Sequence, residues 1–433
     1  MVAVDWRERM EGAAESVPWG GAGKGLRSEA NHGLHILVLT DRDWTHPQAG
    51  GTGTNLFEQV SRWLNWGHRV SVIACSYPGA AACERLGELT IHRVGGRSTV
   101  FPRAILRQRR GLVSDCDVVL EVINGVTFLT PLWCRTPRVA LVHHVHRHHY
   151  VRELGAAGRL AALLLETLPL RLLYRQAQFL TISEASARDI AAHGIDRRQI
   201  EVRYLGVDVS QYRPDPTRRA SVPTLLYLGR LKRYKRIEVV LDVLERNPDA
   251  VLDLAGEGDH RPALEEEIAR RGLTERVRMH GFVSEEAKVE LYQRAWINIT
   301  TSSAEGWGLS VTEAGACGTP SAALRLGGLA EAIEDGRTGV LATDPVELAH
   351  KVARLLADDA WRESLGEAAL TRARELSWDE TARVTLELLH GVCRPGQVLA
   401  RPAREDDLTT GAGAPVLSDA PSLGSMVTYS PEP

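Results

Sequence analysis

At 433 residues the chain exceeds what one hydrophobic core usually organises, so two domains are the first expectation. Its 52 basic and 55 acidic residues nearly cancel, which argues against a general nucleic-acid binder. The six cysteines, Cys75, Cys83, Cys116, Cys134, Cys317 and Cys393, are scattered without a C-x-x-C pair, a pattern of reduced thiols in a cytosolic protein rather than a disulfide framework.

Residues 1–33 are glycine-rich and irregular and read as a flexible segment, with charges where a signal peptide needs its apolar run. The GGAGKG at Gly20 to Gly25 fails the phosphate-loop pattern, because Pro18 stands where the first glycine belongs and Gly25 where Ser or Thr should follow Lys24. A first series of short apolar runs follows: LHILVLT, RVSVIA, LTIHRV, DVVLEV, RVALV and QFLTIS read as strands. Helices are expected between them over Thr54 to Trp66 and Gly158 to Arg175. The second of these, GRLAALLLETLPLRLLYR, is interrupted by Glu166, Pro169 and Arg171, which makes it a domain helix rather than a membrane span. After a polar, proline-containing stretch, TLLYLG, AVLDLAG, RVRMHG, WINITT, PSAAL and GVLAT repeat the strand pattern. The helices expected with them are Ile237 to Arg246, Arg261 to Arg271 and Glu285 to Ala295. Two rounds of this alternation predict an α/β chain with two parallel sheets covered by helices.

Several segments carry chemistry. In PQAGGTGTNLFEQV, Gly50, Gly51 and Gly53 let backbone amides approach a phosphate or sugar, and Thr54 is a candidate cap for the following helix. A structural turn explains the same glycines equally well. VALVHHVHRHHY places His143, His144, His146, His148 and His149 at the carboxyl edge of a strand, where ligands of open α/β sheets bind. Their spacing matches neither a zinc-protease helix nor a zinc finger. Asp41 with Asp43, and Asp115 with Asp117, form Asp-x-Asp triplets for which a structural role is favoured over a divalent cation site. Phe101, Ile105, Leu106, Arg107, Arg109 and Arg110 make a basic, partly apolar segment that is either a solvated helix or a contact for anionic lipid.

In LGRLKRYKR a strand end turns at Gly229 and presents Arg230 and Lys235, two cations able to converge on one diphosphate. In EGWGLSVTEAGACGTP, Gly306 and Gly308 make a ligand-facing loop with Trp307 and Leu309 beside it. Glu305 precedes a helix that starts near Ser310, and Glu313 lies in its first turns. In LRLGGLAEAIEDGRTGVL, Gly327 and Gly328 offer further amides to phosphate oxygens, and Glu331 follows them. Carboxylates that accept hydroxyl hydrogen bonds, beside cations that hold a diphosphate, describe a sugar-nucleotide pocket.

The order of these motifs resembles the retaining glycosyltransferases of family 4, from about His35 to about Gly391. Glu305 and Glu313 match the family's Glu-x7-Glu pattern; Gly229, Arg230, Leu231 and Lys235 match Gly-Arg-Leu-x3-Lys; and Gly50 and Gly51 match its N-terminal glycine loop. The resemblance implies the GT-B architecture, two facing Rossmann-like domains with a cleft between them. Residues 34–206 would form the acceptor domain, 207–222 a linker, 223–376 the NDP-sugar domain, 377–392 a helix crossing back with Trp378 as a packing residue, and 393–433 a disordered tail. It implies catalytic roles for Glu305, Arg230, Lys235 and His143, the last with His144 at a position where many members carry Asp. Donor contacts would come from Gly50, Gly51, Gly229, Gly306, Trp307, Gly308, Leu309 and Glu313, with Glu313 on the ribose, Glu305 on the sugar, and Arg230 and Lys235 on the diphosphate. The expected partners are an NDP-sugar donor and an unidentified acceptor, with no metal and no nucleic acid, in a cytoplasmic enzyme with peripheral membrane contact as an option. An NDP-sugar epimerase and a non-catalytic NDP-sugar-binding subunit are the competing readings.

Overall fold

A computed structural model describes residues 33–145 and 157–394, together with Trp6, Met10 and Gly155. Its first sheet has eight strands: β1 His35–Leu39, β2 Arg69–Ala74, β3 Cys83–Leu86, β4 Leu89–Arg93, β5 Val118–Ile123, β6 Arg138–Val142, β7 Gln178–Thr181 and β8 Ile200–Val202. They lie in the order β3-β4-β2-β1-β5-β6-β7-β8, parallel throughout except where β3 runs antiparallel to β4. The second sheet holds β9 Thr224–Leu228, β10 Val251–Ala255, β11 Val277–Gly281, β12 Ile297–Thr300, β13 Ser321–Leu324 and β14 Gly339–Ala342, in the order β11-β10-β9-β12-β13-β14, all parallel. Central strands such as β1 and β5 are buried along their whole length, because helices cover both faces of a parallel sheet. That is why they read as continuous apolar runs. The edge strands β3 and β8 were not anticipated: CERL is half exposed and IEV only three residues long, too weak a pattern to mark a strand.

Two helix expectations need correction. The helix after β1 is Gly50–Asn65, with Ala49 at its N-cap and no side-chain cap, so Thr54 is an exposed helical residue and the glycines lie inside the first turn. The helix expected over Gly158 to Arg175 is irregular: Leu163–Thr167 widens into a π-helical turn ahead of Leu168–Leu173. Pro169 has no N–H to offer an upstream carbonyl, and such a break in the hydrogen-bond ladder favours a wider turn.

Both sheets belong to one compact unit ending at Arg394. One core cluster joins them, with Ile182, Leu205 and Val207 packing among Trp307, Leu329 and Trp378. The helix Trp378–Cys393, capped by Ser377, returns to the first sheet. There the Trp63 indole donates to the Ala382 carbonyl (3.0 Å) and Arg62 pairs with Asp379 (2.5 Å). Two chain crossings therefore run side by side, tied by the Val207 N–H to the Leu376 carbonyl (3.0 Å). Gly206 sits beneath Trp378, so close that a Cβ would collide with the Trp378 nitrogen and lie 2.6 Å from its Cα. All six cysteines are free thiols, and among the described residues no helix is long and apolar enough to cross a membrane.

Backbone cannot retreat as a side chain can, so Gly206→Ala should destabilise the protein by about 1–3 kcal/mol. A thermal denaturation midpoint equal to that of the wild type would show that the two crossings have slack.

Candidate functional site

Ligands of open α/β sheets bind beyond the carboxyl ends of the strands, where the strand order reverses. Those points fall between β1 and β5 in the first sheet and between β9 and β12 in the second. The structure brings their loops into contact. A Cβ on Gly50 would lie 3.5 Å from the Arg230 guanidinium carbon, one on Gly51 would lie 3.5 Å from Leu309, and one on Gly306 would lie 2.7 Å from the His143 carbonyl oxygen. Gly50, Gly51, Arg230, His143, Gly306 and Leu309, far apart in sequence, thus line one junction.

The loop after β9 is shaped by its neighbours. Gly229 and Leu231 press their carbonyls where side chains at Gly256 and Gly258 would stand, two glycines whose segment AGEGDH carries no motif of its own. Tyr227 donates its hydroxyl to the Arg230 carbonyl (3.2 Å), and Arg236 adopts the left-handed conformation (φ 53°) that ends the turn. The loop after β12 is fastened to it: Thr301 donates to the Lys235 and Arg236 carbonyls (both 2.9 Å), and the Ser303 N–H donates to the Tyr234 carbonyl (2.8 Å). Lys235 and Glu305 consequently meet as an ion pair at 2.5 Å, with the Ser302 hydroxyl donating to the same carboxylate oxygen (3.0 Å). Burial opposes the charge on Glu305, but Lys235 and Ser302 outweigh it and hold the carboxyl below its usual range. Arg230 is exposed, bonds the Tyr234 hydroxyl (3.3 Å) and has no carboxylate partner among the described residues. Of the two cations singled out in the sequence, Lys235 is paired with a carboxylate and Arg230 is not, among the described residues.

The helix Leu309–Ala316 starts at Gly308, whose φ of 111° suits only glycine. Glu313 is buried on it and bonds Lys288 Nζ (3.0 Å) and the Tyr292 hydroxyl (2.8 Å), with Glu285 and Tyr212 completing the network. Burial raises the Glu313 carboxyl above its ordinary range, with Lys288 working against that rise. Lys288 escaped notice because it lies on the helix Glu285–Arg294, whose sequence shows only an ordinary i,i+3 charge pair.

Other expected site residues are placed differently. Trp307 is 1% exposed and stacked on Tyr204 (4.4 Å, 21°), a packing residue between the two sheets rather than an open donor contact. His143 is 4% exposed, takes a hydrogen bond from Asn55 Nδ2 at its Nε2 (2.9 Å), and is lowered by burial to about 3, so its ring is neutral. His146, His148 and His149 lie outside the described residues. Gly327 and Gly328 seat the 305–306 backbone, and the Gly328 N–H donates to the Glu305 carbonyl (2.9 Å), so it does not face a phosphate. Glu331 crosses to the other half, where its carboxylate accepts the N–H groups of Glu184 and Ala185 (both 2.7 Å) and caps the helix Glu184–Ala191. Asp43 is buried against Arg93 (2.9 Å), Asp41 pairs with Arg42 (2.8 Å), and Asp115 pairs with Arg69, all structural attachments.

Residues 49–211 match the family described as Glycosyltransferase Family 4, and residues 208–372 the family described as Glycosyl transferases group 1. A D-inositol 3-phosphate glycosyltransferase of Nocardiopsis dassonvillei is 32% identical over 248 residues, 52% of this chain and 58% of that protein. The protein of the same name from Paenarthrobacter aurescens is 30% identical over 288 residues, 61% of this chain and 70% of that protein. The chain spans about half the length of the first curated relatives it matches. Among solved structures, the sucrose-phosphate synthase of Thermosynechococcus elongatus superposes with a TM-score of 0.73 at 20% identity, covering 83% of this chain and 99% of that one. Anabaena HepE, solved with UDP-glucose, superposes with a TM-score of 0.65 at 19% identity, covering 82% and 100%. Two facing parallel sheets whose switch points meet, a shared fold and these sequence matches lead to one conclusion: the chain belongs to glycosyltransferase family 4 and has the GT-B fold.

Proposed function

We propose that the protein transfers a sugar from an NDP-sugar to an acceptor hydroxyl with retention of anomeric configuration. The observation that carries this reading is the meeting of Arg230, free of any carboxylate among the described residues, with the amino end of the helix Gly50–Asn65 beside the Lys235–Glu305 pair. A cation, a helix amino end and a half-buried ion pair form a preorganised cradle for a departing diphosphate. The relatives' names as glycosyltransferases and the UDP-glucose held by HepE support the same reading.

In the proposed reaction the bond from the anomeric carbon to the diphosphate oxygen breaks, and the acceptor oxygen bonds to that carbon on the same face. The acceptor proton passes to the departing phosphate oxygen, so no protein base is required. Arg230 and Lys235 stabilise the charge that develops on the leaving group. Glu305, kept ionised by Lys235, accepts hydroxyl hydrogen bonds from the sugar. Each Glu313 oxygen retains an acceptor site beyond its bond to Lys288 or Tyr292, and we assign these to the ribose hydroxyls. His143, buried and neutral, fixes Asn55 and the junction backbone rather than moving a proton.

Lys235→Ala should lower turnover on the order of a hundredfold, equivalent to ~3 kcal/mol of transition-state stabilisation. It also strands the Glu305 carboxylate, so Lys235→Met with Glu305→Gln should recover stability without recovering turnover. Recovery of both by the double variant would remove the pair from the chemistry.

Calorimetry with NDP separates the two glutamates. Glu313→Gln should weaken NDP binding, whereas Glu305→Gln should spare NDP and depress single-turnover transfer. Because the Glu313 carboxyl titrates above the usual glutamate range, NDP affinity should fall with decreasing pH sooner than an ordinary glutamate would dictate. Protonation removes acceptor capacity, which sets that sign. Equal loss of NDP affinity in both variants refutes this division of roles.

We also propose that transfer needs no metal, since Asp43 is committed to Arg93 and Asp41 to Arg42, while Arg230 supplies charge at the diphosphate. Activity should survive exhaustive EDTA treatment. Recovery only on adding manganese or magnesium would assign the charge to a cation instead.

A further inference from the structure

Glu331 reaches from the second half of the molecule to backbone of the first. Each of its oxygens takes one N–H, Oε2 that of Glu184 and Oε1 that of Ala185 (both 2.7 Å), at the amino end of the helix Glu184–Ala191, where negative charge is favoured. On either side of this contact a short chain of hydrogen bonds leads to the junction. In the first half Ser186 follows Ala185, and its buried hydroxyl donates to the His143 carbonyl (2.8 Å). The N-cap Ser183 fixes Ser186, accepting its N–H (3.1 Å) and donating to its hydroxyl (3.0 Å). In the second half Glu331 sits in the single turn Leu329–Ala332. The N–H groups of Glu331 and Ala332 donate to the Gly328 carbonyl (3.0 and 2.9 Å), and the Gly328 N–H donates to the Glu305 carbonyl (2.9 Å).

The two chains meet. A Cβ on Gly306, the residue after Glu305, would lie 2.7 Å from the same His143 carbonyl oxygen that Ser186 holds. A closed ring therefore runs from Glu331 through the helix end, Ser186 and His143 to Gly306 and Glu305, and back through Gly328. It passes between the halves twice, once at the Glu331 carboxylate and once at the Gly306 backbone. The turn that carries Glu331 has little slack: Leu329 is fully buried, with its Cδ2 2.8 Å from the place of a Cβ on Gly308, and a Cβ on Gly328 would strike the Gly306 carbonyl. Glu305 is thus held twice, its carboxylate by Lys235 and Ser302 and its backbone by the ring. Lys235 fixes the carboxylate only relative to the second half, whereas the ring fixes it relative to the first.

We propose that Glu331 is a positioning residue for the reaction. By closing the ring it sets where Glu305, and the sugar that Glu305 holds, stands relative to the leaving-group cradle, whose parts come from both halves: Arg230 from the second and the helix Gly50–Asn65 from the first. This rests on the glycosyl-transfer reading and adds to it a residue that acts through others. A misplacement of about 1 Å can cost on the order of 100-fold in rate, so loss of the carboxylate acts on turnover more than on nucleotide binding.

Hydrogen–deuterium exchange on the full chain reads the ring without any substrate. Glu331→Ala should raise exchange on the order of 10-fold or more at the Gly328 amide and across 303–308, remote from the amides it uncaps, and leave β9 unchanged. Ser186→Ala cuts the other arm of the same ring, so the double variant should exceed the more affected single variant by no more than about threefold. Arg62→Gln, which severs the tie to Asp379 on the returning helix, should leave 303–308 at the wild-type rate. Hydrolysis of UDP-glucose, GDP-mannose and ADP-glucose, with water as acceptor, and calorimetry with UDP, GDP and ADP complete the test. Glu331→Ala should lower kcat on the order of 10- to 100-fold and change nucleotide affinity by less than about threefold. Should the alanine variant unfold more readily, Glu331→Gln, which keeps the side-chain volume but only one oxygen, is read in the same way. Unchanged exchange at 303–308, effects of the two single variants that multiply, equal loosening by Arg62→Gln, or wild-type kcat in Glu331→Ala each overturn the proposal. Failure of the wild-type chain to bind any of the three nucleotides would count against the transfer reading instead, and exchange at 303–308 would still decide whether the ring acts as one unit.

Discussion

The structure depends first on how closely two backbones approach where the sheets meet. A Cβ on Gly306 would lie against the His143 carbonyl at a distance no Cβ allows, and would also press on the Ile182 side chain (3.1 Å). Any side chain at that position would separate the halves, and the contacts of Gly50 with Arg230 and of Gly51 with Leu309 would open with it. Glycine here is a steric requirement for the junction, since its groups are contributed by loops of both sheets.

Charge is then arranged within that closed space. Two carboxylates eight positions apart are each matched to a lysine, Glu305 to Lys235 and Glu313 to Lys288, in surroundings where an unpaired charge would be costly. The two pairs differ in effect. The first depresses its carboxyl and the second does not overcome burial, so the two glutamates titrate in different ranges. Arg230, exposed and without a carboxylate among the described residues, remains as charge available to an anion at the junction.

The halves are also held away from the site. Glu331 caps a helix of the opposite half, Trp307 stacks on Tyr204, and Gly206 lies under Trp378 where the chain crosses twice. A carboxylate at a helix amino end and a buried aromatic stack are short-range interactions that are lost together if the halves separate. They bias the chain toward the closed arrangement described here.

The strands were legible in the sequence because parallel strands buried on both faces are nearly continuous apolar runs. All twelve longer runs became strands, while CERL and IEV, at sheet edges, carried too little pattern. The identities of Glu305, Glu313, Arg230 and Lys235 were also legible, since residue type and spacing within a loop are local properties. Their partners were not. Lys235 reaches Glu305 across 70 positions, Glu331 reaches Ala185 across 146, and Lys288 meets Glu313 from a separate helix. Whether Trp307 would face a ligand or Tyr204, and whether His143 would turn to the cleft or to Asn55, depended on which surfaces packed together. Local chemistry follows from covalent order, whereas burial, pairing and the resulting titration follow from contacts between distant segments, and these exist only once the two sheets have met.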